Sequence, residues 1–443
     1  MPDATEITLP PVSRPFSATL TPPGSKSLTN RALVLAALAR GESTISNILF
    51  AEDTEVMLDG LRRLGVRLQV DEAARSVRVA GEGGINADST EVFCGNSGTT
   101  IRFLAALCTL GRGEYVLDGV ERMRRRPVGE LVDLLKNLGA RIDYAGEPGF
   151  PPLRVHGGAV LAGGLAHFGA AQSSQFLSAA LHVAPRSRRE VQIDLGRPQT
   201  SWPYVAMTMR LMDEFGAWCE LSRDPRTGEP TQINIPAPGE YRPTDYAVEP
   251  DASSATYFLA AAAVNEGSKV TIAGLGRSSL QGDARFADVL ARMGASVRQS
   301  DGAITVEGTG TLEPIEIDLS DMPDTAQTLA VACLFADGVS RLRGLHTLRV
   351  KETDRLAAMK NELTKFGATV GIDGGDSLTI EPPENFRPPP PIDTYSDHRM
   401  AMSFAVASTR VNGVTIRDPG CVRKTYPGFF DDFARVVRGG DPH

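Results

Sequence analysis

Short β-like runs alternate along this chain with two kinds of helix-like stretch. Near the start, FSATL leads through PGSKS into the apolar stretch SLTNRALVLAALAR. A second β-like run, STISNI, precedes the amphipathic segment DTEVMLDGLRRLG, where Met57, Leu61 and Leu64 recur at helical spacing. Phe286, Leu290 and Met293 repeat that stripe further on. VRLQV and SVRVA then finish the group, so the predicted order is β-α-β-α-β-β.

The same phrase, a helix ending in an apolar residue and glycine before a β-like run, returns as RRLGVRLQV, KNLGARIDY, DEFGAWCEL, ARMGASVRQ and TKFGATVGI. Its glycines are Gly65, Gly139, Gly216, Gly294 and Gly367, spaced by 74, 77, 78 and 73 residues. Each stands where a C-terminal helix cap belongs. After the first, apolar helices open at GNSGTTIRFLAAL, QSSQFLSAALHV, DASSATYFLAAAAV, DTAQTLAVACLF and SDHRMAMSFAVA, which makes six repeats. The last ends in FFDDFARVV without closing strands, and the N-terminal EITLP is expected to help complete its sheet. The Pro-rich stretch NIPAPGEYRPTDYAVEP separates repeats three and four. The expected fold is α/β, with two similar domains of three βαβαββ units each. Residues 1–24 plus 249–443 carry units four to six in one domain, and residues 25–248 carry units one to three in the other.

Composition narrows the function. Of 443 residues, 42% are hydrophobic and 23% charged, and no apolar run approaches the ~20 residues of a membrane span. The opening MPDATEITLP has Asp3, Glu6 and no apolar core of a signal peptide, so a cytoplasmic location is expected. The net charge of −8 argues against a general nucleic-acid binder. Five scattered cysteines without a CxxC pair are expected to be buried thiols of a reducing compartment. Neither these nor the six histidines have metal-ligand spacing.

Against this acidic background, cations gather at predicted helix starts: Lys26 and Arg31 in PGSKSLTNR, Arg126 in RMRRRP, Lys351 and Arg355 in RVKETDR, Arg399 in SDHR, and Lys424 in RKTYP. Taken singly, KETDR is a solvated face with Glu352 and Arg355 paired at i,i+3, and RRR a surface run. Recurrence at one architectural position points instead to a small, multiply charged ligand. Residues able to cap a helix stand at the starts as well: Ser25 and Ser27, Asn96 to Thr99, Ser173 and Ser174, Asp251 and Ser253, Asp324, and Asp397. If the six apolar helices share one sense, their N-termini converge on the mouth between the halves and form an anion site. PPGSKS is not a P-loop, because Ser25 intervenes between Gly24 and Lys26.

PGSKSLTNRAL, GNSGTTIRF, RMRRRP, the SSQ run, DASSATYFLAAAA, RVKETDRL, SDHRMAM and KTYP, in that order, resemble the 5-enolpyruvylshikimate-3-phosphate (EPSP) synthase family over roughly residues 15–435. The resemblance implies an inside-out α/β barrel of enolpyruvyl transferase type, whose two domains close on substrate. It also implies transfer of the enolpyruvyl group of phosphoenolpyruvate to the 5-hydroxyl of shikimate 3-phosphate. Shikimate 3-phosphate would be held by Lys26, Ser27, Arg31, Ser173, Ser174, Gln175, Ser201, Tyr204, Asp324 and Lys351. Phosphoenolpyruvate would be held by Lys26, Gly98, Arg126, Gln175, Arg355, Arg399 and Lys424. Asp324 is the candidate base, Glu352 the candidate proton donor, Lys26 a stabiliser of developing charge, and Lys424 with Arg126 the stabilisers of leaving phosphate. The cation cluster makes a cofactor or metal unnecessary, and a monomer is expected. Two positions depart from the family pattern: Thr347 where many members carry Asn, and Phe103 where Pro is frequent. The retained Gly98 implies sensitivity to glyphosate. Competing readings are a UDP-N-acetylglucosamine enolpyruvyl transferase, an RNA-binding relative of the same repeat fold, and a catalytically silent scaffold. The first usually has a cysteine in the loop that here reads ERMRRRP, and the net charge opposes the second.

Overall fold

The two helix types predicted from the sequence occupy different places. A computed structural model describes residues 5–158, 160–169, 172–196 and 199–440. Through them run twelve α-helices: Lys26–Leu38 (α1), Glu52–Arg63 (α2), Gly98–Cys108 (α3), Gly129–Asn137 (α4), Ser174–Val183 (α5), Trp202–Glu214 (α6), Ala252–Ala263 (α7), Phe286–Arg292 (α8), Ala326–Ala332 (α9), Arg355–Thr364 (α10), His398–Ser408 (α11) and Phe429–Val437 (α12). Every residue of α3, α7, α9 and α11 is buried, as is α1 from Leu28 onward and all of α5 except Gln175. These are the apolar stretches, which have no face to give to water. The second helix of each repeat is amphipathic: α12 buries Phe429, Phe433 and Val436 while Asp431 points outward.

The chain forms two compact units, Met1–Pro23 with Glu249–His443, and Gly24–Val248. Gly24 falls in the second unit, not the first. A Cβ there would lie 1.8 Å from the carbonyl oxygen of Asn47, so only glycine fits against that turn.

Of five four-stranded sheets, four place their strands in the order first, second, fourth, third along the chain, and the fifth keeps that layout with its edge strand supplied from late in the chain. In one of them Ser89–Phe93 runs parallel to Glu114–Asp118, which pairs antiparallel with Leu153–His156, itself antiparallel to Arg141–Tyr144. Alternation sets the register: in Ser76–Glu82, Val77 and Val79 face the core and Arg78 faces out. The sixth sheet has two strands, with Glu6↔Arg417 through Leu9↔Val414 antiparallel, so EITLP does complete the last repeat. The six sheets are separate, and no closed barrel of strands forms among the described residues.

One strand is exchanged relative to the sequence reading. In repeat order FSATL reads as the first strand of the first repeat, whereas the expected domain bounds set residues 1–24 with units four to six; Ser17–Leu20 lies parallel to Lys269–Ile272 in the fourth repeat. The edge beside Arg40–Ser46 is taken by Tyr246 and Ala247. At both crossings the chain changes unit just after the strand that leads into a core helix. A strand this short, alternating buried and exposed, fits either sheet edge, so sequence order could not reveal which edge it fills.

The five marker glycines all have left-handed backbones, with φ of 84, 103, 83, 97 and 93°. In four of them the amide after the glycine closes a six-residue loop onto the helix, as Val66 N to Leu61 O at 2.9 Å. That residue is buried as Val66, Ala140, Ala217, Ala295 or Ala368. The recurring phrase is therefore a Schellman cap that turns the chain from helix into strand. All five cysteines are free thiols; Cys94, Cys108 and Cys333 are buried, whereas Cys219 and Cys421 are only partly so.

Candidate active site

In the Gly24–Val248 unit, Lys26 is the first residue of α1, and its Nζ lies 3.0 Å from the buried Asp53 carboxylate. Ser25 occupies the cap position without a side-chain cap bond, and its buried Oγ has no partner. Ser27 contributes its carbonyl to Arg31. Arg31 is 1% exposed and bound wholly to protein: Nε to Thr208 Oγ1 (2.7 Å), Nη1 to Ser27 O (2.9 Å), and Nη2 to Ser178 Oγ and Tyr204 O. Burial pulls its pKa down to about 10, still high enough to keep it cationic at neutral pH. Phe103 packs beneath it, 5.2 Å from Arg31 Cζ, and meets His182 edge-on at 4.7 Å. Arg31 therefore anchors the start of α1 to α5 and α6, and the departure at Phe103 fills the space between them.

The GNSGTT loop caps α3 through Ser97 Oγ, which accepts from Thr100 N. Gly98 is the first helical residue, and the Arg126 guanidinium lies across it. A Cβ on Gly98 would come within 2.6 Å of Arg126 Nη2 and 3.0 Å of Arg102 Nη1. Arg126 Nη1 donates to Asn96 O (2.8 Å) and Asn96 Oδ1 (3.2 Å), while its Nε is buried without a hydrogen bond. The three arginines of RMRRRP separate sharply. Arg124 and Arg125 pair with Asp118 and Glu121 in solvent, and the 3₁₀ turn Met123–Arg125 drives only Arg126 inward.

Arg102 was missed by sequence reasoning. It is buried and joins the loop to α5 through Nη1 to Gln175 Oε1 (2.5 Å). It follows Gly98 by four residues, as Arg31 follows Ser27, and that repeat-to-repeat correspondence was the available signal. Ser173 caps α5 by accepting from Gln175 N, with Ser174 buried beside it. Ser201 starts α6 from a left-handed conformation (φ 57°), and Tyr204 follows in its first turn. This unit thus brings Gly98, Arg126 and, through Arg102, Gln175 into one neighbourhood.

In the other unit, Asp324 sits in the 3₁₀ turn Pro323–Thr325, and the cap position of α9 falls to Thr325. Asp324 Oδ1 lies 3.1 Å from Arg355 Nη1 and 3.7 Å from Lys351 Nζ, and its Oδ2 lies 2.9 Å from Arg399 Nη2. Arg355 begins α10, is 1% exposed, and also pairs with Glu352 Oε2 (2.9 Å) and with both oxygens of Asp397 (2.7 and 3.2 Å). Burial alone would lower its pKa, but Asp397, Glu352 and Asp324 outweigh it and hold the guanidinium charged well above its ordinary value. The Glu352–Arg355 pair is therefore buried, unlike the solvated surface pair that its spacing alone suggests. Asp397 caps α11 by accepting from Arg399 N at 3.0 Å. Behind this cluster, Asp283 bonds Ser253, and burial followed by the nearby Asp324 charge pushes its pKa up to about 6. Lys424 ends the 3₁₀ turn Pro419–Lys424 and is buried. Thr347 lies in the turn His346–Val350 with its buried Oγ1 unpartnered.

Four of the six expected caps form, at Ser97, Ser173, Asp251 and Asp397. Each unit thus sets cations and free backbone N–H groups at the starts of its core helices. A carboxylate and three cations meet at Asp324. Such a constellation can bind anions and move a proton, the equipment of group transfer between charged substrates. Among the described residues, no three His, Cys, Asp or Glu side chains are grouped to hold a metal ion. No described helix is long and apolar enough to cross a membrane.

A family model for EPSP synthase (3-phosphoshikimate 1-carboxyvinyltransferase) matches residues 12–433. The chain belongs to the EPSP synthase family. It is 46% identical over 442 residues to the 3-phosphoshikimate 1-carboxyvinyltransferase of Paraburkholderia phytofirmans, covering 98% of this chain and 99% of that one. The enzyme of the same name from Thiobacillus denitrificans is 46% identical over 436 residues, again covering 98% and 99%. The structure of EPSP synthase from Acinetobacter baumannii superposes with a TM-score of 0.79 at 27% identity, covering 99% of this chain and 98% of that one. Membership in the EPSP synthase family accounts for the six repeats and the two units.

Proposed function

We infer that this protein is a 3-phosphoshikimate 1-carboxyvinyltransferase, moving the enolpyruvyl group of phosphoenolpyruvate to the 5-hydroxyl of shikimate 3-phosphate and releasing phosphate. The observation that carries the reading is the cluster at Asp324, where a carboxylate, a buried glutamate and three cations share one site in a chain of the EPSP synthase family.

In the first step the 5-hydroxyl oxygen bonds to C2 of phosphoenolpyruvate while C3 gains a proton. The tetrahedral adduct then loses phosphate from C2 and a proton from C3, restoring the double bond. Asp324 takes the hydroxyl proton, for which an oxygen must release Arg355 or Arg399. Glu352 gives the proton to C3 and takes one back, its pairing with Arg355 fixing the reach of the carboxyl. Lys26 stabilises developing charge at the hydroxyl oxygen, and Arg126 with Lys424 stabilises the leaving phosphate.

Shikimate 3-phosphate is assigned to Lys26, Ser27, Ser173, Ser174, Gln175, Ser201, Tyr204, Asp324 and Lys351. Arg31 is assigned to the same ligand, and its bonds to Ser27 O and Tyr204 O hold those two residues beside it. Phosphoenolpyruvate is assigned to Lys26, Gly98, Arg126, Gln175, Arg355, Arg399 and Lys424. The unpartnered Arg126 Nε supports that assignment. A monomer working in the cytoplasm without a nucleic-acid partner fits the acidic charge.

The test is phosphate release from purified protein given both substrates together and each alone, with Lys26→Ala as control. Release that requires both substrates is expected. No release from folded wild-type protein refutes the reading. Near-normal turnover in folded Glu352→Gln removes the glutamate from the proton path.

A further inference from the structure

Thr394 to Asp397 form a tight turn closed by Asp397 N donating to Thr394 O at 2.9 Å. Its two central residues, Tyr395 and Ser396, both have φ of 55°. Two successive left-handed residues are usually Asn-Gly or Gly-Gly, because a side chain is disfavoured there, a bulky aromatic most of all. Their exposure offers no packing that would hold them so. The turn nevertheless opens directly into Asp397, which caps α11 and pairs with Arg355, and into Arg399, which pairs with Asp324.

What holds the turn is Glu362 on α10. This glutamate is fully buried. Its Oε1 accepts from the Tyr395 hydroxyl at 2.8 Å and its Oε2 from Asp393 N at 3.0 Å. Lys365 Nζ lies 2.6 Å from the same carboxylate and also reaches Pro391 O and Asp393. Arg355, two helical turns earlier on α10, grips Asp397 at the far end of the turn. One helix therefore clamps both sides of a conformation that its own sequence resists, and backbone strain of this kind persists only where the surroundings over-determine it.

We propose that Glu362 is a positioning residue that latches Tyr395, fixing the turn that sets Asp397 and Arg399 for binding the enolpyruvyl donor. The inference rests on the functional reading above through Arg399. Because the latch touches neither proposed substrate, its loss acts through the register of α11 and selectively on the phosphoenolpyruvate side.

The test compares Glu362→Gln, the milder Tyr395→Phe, and each combined with Ser396→Gly, which frees one left-handed position. Michaelis constants for both substrates are measured beside amide hydrogen exchange of the peptide spanning residues 394–402. Glu362→Gln is expected to raise KM for phosphoenolpyruvate about tenfold and Tyr395→Phe about threefold, misplacement of a binding group being costly. KM for shikimate 3-phosphate is expected to stay within about twofold, exchange at the turn to quicken, and Ser396→Gly to recover much of the loss. Unchanged KM for phosphoenolpyruvate in folded Tyr395→Phe and Glu362→Gln overturns the proposal. So does an equal rise in both constants, or no recovery with Ser396→Gly. Quickened exchange in a protein whose wild type releases no phosphate upholds the latch and sinks the functional reading instead.

Discussion

Replacing Gly98 with alanine adds one carbon at the most crowded point of the proposed anion site. The new Cβ would meet Arg126 Nη2 at 2.6 Å, Arg102 Nη1 at 3.0 Å and Arg126 Cζ at 3.1 Å. Ordinary contact begins near ~3.5 Å, so Arg126 Nη2 must retreat by about 0.9 Å (3.5 − 2.6). The obstacle is the end of a long side chain, so the fold gives way cheaply, and alanine suits the first helical turn better than glycine by up to ~1 kcal/mol. The ligand bears the cost. Arg126 is tied to Asn96 through Nη1, and the shift drags its whole fork. Losing one charge-assisted hydrogen bond costs about 1.5–3 kcal/mol, or roughly 10- to 150-fold in affinity. Initial rates of phosphate release at saturating shikimate 3-phosphate are therefore expected to show KM for phosphoenolpyruvate raised at least about tenfold, with thermal stability unchanged or slightly higher. A wild-type KM in a folded Gly98→Ala protein would show that Arg126 does not bind the donor.

Three further outcomes follow from particular contacts. Asp283 has a folded pKa raised to about 6, above its ordinary 3.8, so the native state holds the proton more tightly than the unfolded chain. Its stabilising effect is complete below pH ~4 and is lost as pH rises through ~6, by an amount on the order of 2–3 kcal/mol. Urea unfolding of Asp283→Asn at pH 4, 5 and 7 should show that slope flattened; an unaltered profile refutes the assignment. Lys26→Ala should abolish turnover and lower stability by about 1–3 kcal/mol, since it removes the cation paired with buried Asp53, and restoring stability with Asp53→Asn should not restore turnover. Trp202 adjoins Ser201 and is one of only two tryptophans, the other being Trp218. Shikimate 3-phosphate should change the intrinsic fluorescence of wild type but not of Trp202→Phe, and an equal change in both would place the ligand elsewhere.

Sequence alone determined the architecture to the level of the repeat. Helix burial follows from composition: a stretch such as ASSATYFLAAAA has no polar face to expose, and DTEVMLDGLRRLG has one. The five marker glycines were legible because a left-handed cap needs a residue without Cβ, a demand local to the chain. The cations at helix starts were legible for the same reason, since the apolar pattern fixes where helices begin. Tertiary structure alone decided which of those cations face inward. In RMRRRP three identical residues are separated by a single turn of 3₁₀ helix, and only Arg126 is buried. Arg31 reads in the sequence only as a cation at a helix start, whereas the packing of α5 and α6 shows it bonded to Thr208, Ser178 and Tyr204. Repeat order alone sets FSATL in the first repeat's sheet, but pairing of an edge strand is settled by its partner, here some 250 residues away. The left-handed pair at Tyr395 and Ser396 was illegible for a related reason. Local preference runs against it, and what imposes it is Glu362, a buried carboxylate on a helix that the sequence shows only as one more charged position.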